Sequence, residues 1–121
     1  MRARRDGSEE DSGRVRERLL GALDAWREEM RDFIAEMVAI PSENPPGQSY
    51  RECVEVIAGH LRRIGFSPEV LKAPASGGGG GPRFVLRAFH GRGRRTLYFH
   101  GHYDVVPASS PGQFRPVVRK G

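Results

Sequence analysis

Two histidines and an aspartate alternate along residues 100–104. The surrounding stretch, residues 97–108, reads LYFHGHYDVVPA and begins with an apolar run. Side chains of an extended chain alternate between two faces, so His100, His102 and Asp104 share one face if the strand continues that far. Zinc binds neutral imidazole well, and a histidine that binds a metal usually passes its other N–H to a carboxylate. The segment is therefore either one part of a metal site, with His102 as ligand and Asp104 as its orienting partner, or the polar end of a strand.

Nucleophilic catalysis is an alternative use of the same pair. A histidine and an aspartate could activate a serine, and Ser109 and Ser110 lie close by in the sequence. Neither serine lies in the strand–turn–helix pattern of a nucleophile elbow, which disfavours this hypothesis. His100 lies within the apolar run, and we interpret it as a core histidine of the strand.

Charge is unevenly distributed along the 121 residues. Residues 1–69 carry 11 basic and 14 acidic side chains, whereas residues 70–121 carry 9 basic side chains and 1 acidic one, Asp104. Of the 20 basic residues, 18 are arginine. The basic part of the chain indicates either a solvated arginine-rich surface or an affinity for phosphate, nucleic acid or an acidic substrate.

A single cysteine, Cys53, excludes an internal disulfide and a cysteine-based zinc cluster. The charged N-terminus shows no apolar signal segment, and no apolar run reaches the roughly 18 residues that span a bilayer. We therefore expect a cytoplasmic protein without a membrane partner.

Helical patterns fill the first half of the chain. Residues 1–12 are charged and small, and we expect a disordered tail there. An apolar seam with alternating four- and three-residue spacing then predicts one long helix that ends before Pro41, with the seam used for packing. The seam comprises Leu19, Leu23, Trp26, Met30, Phe33 and Met37.

A second helix is predicted after the turn-rich segment PSENPPGQ of residues 41–48. Ser49 and Glu52 have the spacing of a capping box at its start. Cys53 lies on its apolar face as a small core residue. Gly65 suits the left-handed position that follows a helix.

Three strands are predicted in the second half, over residues 66–72, 83–90 and 96–102. The glycine-containing turn between the second and third predicts an antiparallel hairpin. The segment ASGGGGGP between the first and second reads as a flexible loop.

These motifs together resemble a known family. The strand followed by GHYDVVP resembles the first metal-ligand motif of the acetylornithine deacetylase / succinyl-diaminopimelate desuccinylase family, which includes aminoacylases and zinc carboxypeptidases. Upstream, VAIPSENPPGQSYRECVEVIAGHLRRIGFSPEV resembles the family's opening helix, NPPG loop and second helix. Downstream, GQFRPVVRKG resembles the stretch before the next motif, so that the resemblance covers about residues 30 to 121.

The resemblance implies a fold and a site. The fold class would be α/β, the N-terminal part of a zinc-exopeptidase-like catalytic domain, with two helices packed on an incomplete mixed β-sheet over residues 13–121. His102 would be a zinc ligand, and Asp104 the catalytic carboxylate that orients it. The cofactor would be two zinc ions, with cobalt as a substitute, and the zinc-activated water would hydrolyse the amide of an N-acyl amino acid or small peptide.

The resemblance also implies an incomplete site. The family's remaining carboxylates, general base and final histidine follow the motifs matched here, and no acidic residue follows Asp104. We therefore expect an N-terminal fragment that binds zinc weakly and lacks hydrolase activity by itself, with a homodimer expected only for the full-length protein.

Two other classes compete with this hypothesis. In the first, RFVLRAFHGRGRR forms a basic nucleic-acid-binding module, in which Phe84 and Phe89 stack on bases and nearby arginines meet phosphates. Those arginines are Arg92, Arg94 and Arg95. In the second, the long helix binds a protein partner. Both rest on composition, so we favour the metal-dependent hydrolase and expect no nucleic-acid partner.

Overall fold

A computed structural model describes residues 6–74 and 81–119 of the chain. In chain order, these residues form three α-helices, two short strands and a 3₁₀ turn. The chain divides into two compact units, Met1–Ile34 and Ala35–Gly121. The second unit contains every residue that the sequence assigns to the site.

The first helix, α1, spans Asp6–Ala25, and the second, α2, spans Arg27–Val38. One long helix was predicted, and the structure interrupts it only at Trp26. The backbone ladder continues across the interruption, because the Trp26 N–H donates to the Ala22 carbonyl at 3.1 Å and the Trp26 carbonyl accepts from Met30 at 2.9 Å.

The end of α2 agrees with the prediction made from Pro41. Beyond Val38, the Ile40 N–H donates to the carbonyl of Met37 at 3.2 Å, which is the tight closing turn common at helix ends. The proline ring disfavours helical geometry at the residue before it, so the helix cannot extend further.

Residues 6–12, for which a disordered tail was expected, lie in α1, whereas residues 1–5 fall outside the described part of the chain. The arginine, glutamate and leucine residues that follow Gly13 are good helix formers, and a helix started there extends through the preceding charged residues.

The apolar seam was expected to pack, but four of its five members in the first unit are exposed, and the fifth, Phe33, is half-buried. The exposed four are Leu19, Leu23, Trp26 and Met30. Periodicity predicts which residues share a helical face; it carries no information on whether another layer covers that face.

The second unit is built on α3, Tyr50–Arg63, and on an antiparallel pair of strands, β1, Glu69–Lys72, and β2, Phe84–Arg87. Gly65 follows α3 with a φ of +90°, as predicted. The Gly65 N–H donates to the Arg62 carbonyl, and the Phe66 N–H donates to the Leu61 carbonyl. These two hydrogen bonds satisfy carbonyls of the last turn of α3.

The predicted capping box at Ser49 was wrong. Ser49 has a left-handed backbone, with a φ of 54°, and its side chain makes no capping hydrogen bond. The preceding loop closes on the carbonyl of Glu43, which accepts the N–H groups of Gly47 at 2.9 Å and Gln48 at 3.3 Å. The chain therefore enters α3 from a tight turn rather than from the extended conformation that a capping serine requires.

The predicted hairpin between residues 83–90 and 96–102 was also wrong. β2 pairs with β1, with Glu69 opposite Arg87, and the Arg87 Nε donates to the Glu69 carboxylate at 2.8 Å across the pair. Residues 96–102 form no strand. Their continuous apolar run is typical of a strand that is buried on both faces of a sheet. The described residues form a single two-stranded sheet, and this run is not part of it.

The hydrophobic core of the second unit lies between α3 and the sheet. Tyr50 and Val54 of α3 and Phe84 of β2 are buried, and Val70 and Tyr103 pack against them. The α/β class is confirmed, although the described sheet is antiparallel rather than mixed. None of the helices in the described ranges is both long and apolar enough to cross a membrane.

Candidate metal centre

Two loops that are far apart in sequence join at the candidate site. Residues 42–44 run parallel to residues 104–106, with Glu43 opposite Val105. The Val105 N–H donates to the Ser42 carbonyl at 2.9 Å, and the Val105 carbonyl accepts from the Asn44 N–H at 2.8 Å. The two motifs that carry the family resemblance, NPPG and GHYDVVP, are thus joined through their backbones.

Tyr103 anchors this junction to the core. Its hydroxyl donates to the Phe84 carbonyl at 2.9 Å and accepts the Phe84 N–H at 3.2 Å, and its ring meets that of Tyr50 edge-on at 5.4 Å. The Tyr103 carbonyl accepts from the buried Ser42 hydroxyl at 2.7 Å. Burial is the main reason that the pKa of Tyr103 is raised. Because successive side chains of an extended chain point in opposite directions, a fixed Tyr103 turns its two neighbours away from the core.

Glu43 fixes the chain beyond the junction. One of its carboxylate oxygens accepts the Ala108 N–H at 2.7 Å, and the other accepts from the Gln48 side chain at 2.6 Å. Since both oxygens already serve the loops, Glu43 acts as a structural clamp across the junction.

Asp104 receives hydrogen bonds from two sides. Its Oδ2 accepts from Asn44 Nδ2 at 3.0 Å, and its Oδ1 lies 3.1 Å from His102 Nδ1. The hydrogen bond from Asn44 is the largest cause of a lowered pKa for Asp104, and His102 lowers it further, while burial opposes both. The side chain is 35% exposed, so the carboxylate lies at the surface yet is held in place.

His102 directs one ring nitrogen outward. Its Nδ1 faces two acceptors, the carboxylate of Asp104 and the same residue's carbonyl at 2.9 Å. Nδ1 must therefore carry the hydrogen of the neutral ring, which leaves the lone pair on Nε2. The side chain is 81% exposed. This tautomer and exposure are what a metal-binding imidazole requires.

The donor set does not fit a complete zinc centre. Structural zinc takes four protein ligands and catalytic zinc takes about three plus water. Within residues 6–74 and 81–119, no group of three or more His, Cys, Asp or Glu side chains is placed to hold a metal ion. The site thus offers one imidazole and its supporting carboxylate.

The sequence predicted the central pair but missed its support. His102 and Asp104 lie together as expected, whereas His100 is exposed and not in a core strand; its ring lies 6.4 Å from that of Tyr98. Asn44 was overlooked, since the NPPG segment was interpreted only as a turn. The signal that could have revealed it is the position of an amide donor in the same loop that resembles the family.

The structure does not support the serine hypothesis. The Ser109 hydroxyl donates to Gln113 at 3.2 Å, and the Ser110 N–H donates to the same side chain at 3.0 Å. Through these contacts both serines hold the start of the 3₁₀ turn Pro111–Phe114, and their described hydrogen bonds do not involve His102.

The nucleic-acid hypothesis loses one of its two stacking residues. Phe84 is only 8% exposed and belongs to the core, so it cannot stack on a base. Cys53 is fully buried, as predicted, and burial raises the pKa of its thiol, which agrees with a core role.

The fold and site define a small α/β chain that presents a carboxylate-supported histidine where two loops join. Among curated proteins it is similar to succinyl-diaminopimelate desuccinylases of Xylella fastidiosa (35% identity over 95 residues), Paracidovorax citrulli (33% over 93) and Stenotrophomonas maltophilia (33% over 97). The matches cover 74%, 71% and 74% of this chain and 22%, 23% and 23% of the relatives. They confirm the resemblance to the acetylornithine deacetylase / succinyl-diaminopimelate desuccinylase family.

The chain spans less than a quarter of the length of these curated relatives. No family profile matches it, and no solved structure matches it.

Proposed function

We propose that this chain provides one corner of the metal site of an amide hydrolase that releases an acyl group from an N-acyl amino acid. His102 is the metal ligand, and Asp104 holds its ring in the binding orientation. The observation that carries the proposal is the contact between His102 Nδ1 and the Asp104 carboxylate, which leaves Nε2 exposed. The names of the three relatives support the reaction class.

The names of the same relatives support a substrate class. Each is named for removing succinate from succinyl-diaminopimelate, and we propose a substrate of this anionic kind. The excess of basic residues over residues 70–121 supports the proposal, because a positive surface attracts carboxylate-bearing molecules.

The isolated chain is inactive in this proposal. Activation of water by zinc needs a metal held by several protein ligands, and the described residues provide only His102 with its carboxylate. Incubation of the chain with zinc and succinyl-diaminopimelate should release no succinate above a protein-free blank. Sustained release that requires His102 would contradict this part of the proposal.

A chimera tests the role of His102 in catalysis. The segment of the Xylella fastidiosa desuccinylase that matches this chain is replaced by the matching residues of this chain, and succinate release is measured. We expect an active chimera, and His102→Ala should reduce its kcat/KM by at least about 100-fold, because loss of a metal ligand disables the centre.

Matched variants separate this role from a general loss of structure. Asp104→Asn in the chimera should lower activity by about 10- to 100-fold, as expected for a carboxylate that supports a metal ligand. His90 is exposed and lies outside the junction, so His90→Ala should leave activity unchanged. Full activity of a folded chimera carrying His102→Ala would refute the proposed function.

A further inference from the structure

The side chain of Asn44 crosses the junction between the two loops. Its Nδ2 donates to Asp104 Oδ2 at 3.0 Å, although the two residues are 60 positions apart in the sequence. The other carboxylate oxygen, Oδ1, lies 3.1 Å from His102 Nδ1. Each oxygen of the carboxylate therefore has its own partner, one in each loop, and Asn44 lies directly behind the pair that the proposed function uses.

The backbone of Asn44 is fixed independently of its side chain. The Asn44 N–H donates to the Val105 carbonyl at 2.8 Å, and the Val105 N–H donates to the Ser42 carbonyl at 2.9 Å. A third hydrogen bond, from the Ser42 hydroxyl to the Tyr103 carbonyl at 2.7 Å, lies on the other side of Asp104. None of these contacts uses the Asn44 side chain, so its substitution should leave the junction in place.

Asp104 depends on Asn44 for the direction of its carboxylate. The Asp104 side chain is 35% exposed, and a side chain at the surface can occupy more than one staggered rotamer. His102 does not select among them, because it is 81% exposed and its Nδ1 also lies 2.9 Å from the Asp104 backbone carbonyl. Within the described residues, Asn44 provides the one hydrogen bond that ties this carboxylate to the opposite loop. Hydrogen bonds to an ionised group are roughly twice as strong as neutral ones, so this contact favours one rotamer.

We propose that Asn44 is a positioning residue for the reaction proposed above, because its amide selects the Asp104 rotamer that directs Oδ1 at His102. The proposal rests on the proposed function and assigns the NPPG segment a part in it. That segment then does more than turn the chain before α3, since it supports the histidine from the opposite loop. Asn44 acts through Asp104 and is not itself a catalytic residue.

The chemistry of the amide separates positioning from packing. Asparagine donates a hydrogen bond without a charge, whereas an ionised aspartate of the same shape only accepts and repels Asp104. A packing role would therefore tolerate Asn44→Asp better than Asn44→Ala. Positioning by donation predicts that both substitutions release the Asp104 carboxylate. Asn44 is exposed, so its packing contributes little.

NMR of the full chain measures the Asp104 rotamer directly. Three-bond couplings from Asp104 Cγ to its backbone N and C′ should show one dominant χ1 rotamer in the wild type and averaged values in Asn44→Ala and Asn44→Asp. Gln48→Ala, which removes an amide donor to Glu43 from the same segment, should keep the wild-type couplings. A single rotamer that persists in both Asn44 variants, or averaging already present in the wild type, would overturn the proposal.

Hydrogen exchange of the Val105 amide shows whether the junction remains closed in these variants. This N–H donates to the Ser42 carbonyl and should stay protected in Asn44→Ala and Asn44→Asp, because neither substitution removes a backbone group. Averaged Asp104 couplings together with a protected Val105 amide would support the positioning role. Loss of protection in both variants would mean that the Asn44 side chain holds the whole junction, which would overturn a role specific to Asp104.

The chimera described above tests the consequence for the reaction. Asn44→Ala and Asn44→Asp should each lower kcat by about 10-fold with KM changed by less than about 2-fold, because the amide supports the reacting centre rather than substrate binding. Wild-type kcat in both variants, or a loss confined to Asn44→Ala, would refute the positioning role.

His102→Ala separates failure of this inference from failure of the proposed function. A chimera that loses activity with His102→Ala and keeps it in both Asn44 variants would refute the role of Asn44 and leave the hydrolase function intact. A folded chimera that keeps full activity with His102→Ala would refute the proposed function and, with it, the part of Asn44 in the reaction.

Discussion

At the scale of single residues, the character of His102 depends on groups outside the His-x-Asp pair itself. The His-x-Asp spacing brings an imidazole near a carboxylate, but it does not by itself fix either side chain. Asn44 holds Asp104 from the opposite loop at 3.0 Å, and the buried Tyr103 directs its two neighbours outward. The chemistry of the pair therefore depends on a long-range contact across 60 positions of sequence.

Asn44→Ala should raise the pKa of Asp104 toward its ordinary value of about 3.9, since the hydrogen bond from Asn44 is the main cause of the lowering. The lowered pKa in the folded state contributes stability above the pKa of the unfolded chain, and this contribution is lost as the pH falls through the folded pKa. The variant should therefore lose less stability on acidification.

Carbon-13 NMR titration of the Asp104 carboxyl measures this change. Gln48→Ala serves as the control, because it removes an amide donor from Glu43 and leaves Asp104 untouched. An Asp104 pKa that is equal in the wild type and in Asn44→Ala would show that the amide does not govern the carboxylate.

At the scale of elements, the helices could be predicted better than the strands. The period of apolar residues and the punctuating Pro41 and Gly65 are local signals, and the helix ends they predict agree with the structure. Ser49 shows the limit of such signals, since the loop that closes on Glu43 overrides a capping sequence.

Strand pairing depends on contacts between distant residues, which single-sequence patterns do not contain. The short glycine turn favoured pairing of 83–90 with 96–102. In the structure the partner of β2 is β1, where the cross-strand pair of Glu69 with Arg87 fits the register. The site was predictable in so far as it is local: His102 with Asp104 could be predicted, whereas Asn44, Ser42 and Tyr103 required the fold.

Two glycines of the α3 region should respond oppositely to alanine. Gly65 has a φ of +90°, so Gly65→Ala should destabilise the chain by about 1 kcal/mol through backbone strain. Gly59 lies inside α3, and an added Cβ meets nothing within 4 Å, so Gly59→Ala should stabilise it by about 0.5–1 kcal/mol. Urea unfolding followed by circular dichroism measures both, and effects of the same sign would contradict the assigned end of α3.

Tyr103→Phe should lower the free energy of unfolding by about 1 kcal/mol. The substitution removes the hydrogen bond that the Tyr103 hydroxyl donates to the Phe84 carbonyl and the one that it accepts from the Phe84 N–H. Tyr98→Phe removes an exposed hydroxyl and should not change the urea midpoint. Equal midpoints for the wild type and Tyr103→Phe would show that the junction is not anchored through this hydroxyl.

At the scale of the whole molecule, the chain combines a small core with a large exposed apolar surface. The described core of the second unit centres on Tyr50, Val54 and Phe84, whereas the segment 97–99 remains in solvent. Apolar groups in water contribute nothing to folding, so the hydrophobic stabilisation of the second unit comes from the contact of α3 with β1 and β2.

Two phenylalanines test this division between core and surface. Phe84 is 8% exposed and Phe99 is 83% exposed, although both lie in segments that the sequence predicts as strands. Phe84→Ala should lower the free energy of unfolding by about 3 kcal/mol or more, because it leaves a cavity beneath α3. This loss is a large fraction of the stability of a small domain. Phe99→Ala should change the free energy of unfolding by less than about 0.5 kcal/mol.

Both variants are unfolded by urea, and the transition is followed by circular dichroism. A large loss in Phe99→Ala with a small one in Phe84→Ala would mean that residues 96–102 form the buried strand that the sequence pattern indicates. The opposite ranking would mean that the core of the isolated chain lies at Phe84 and that the apolar run does not stabilise it.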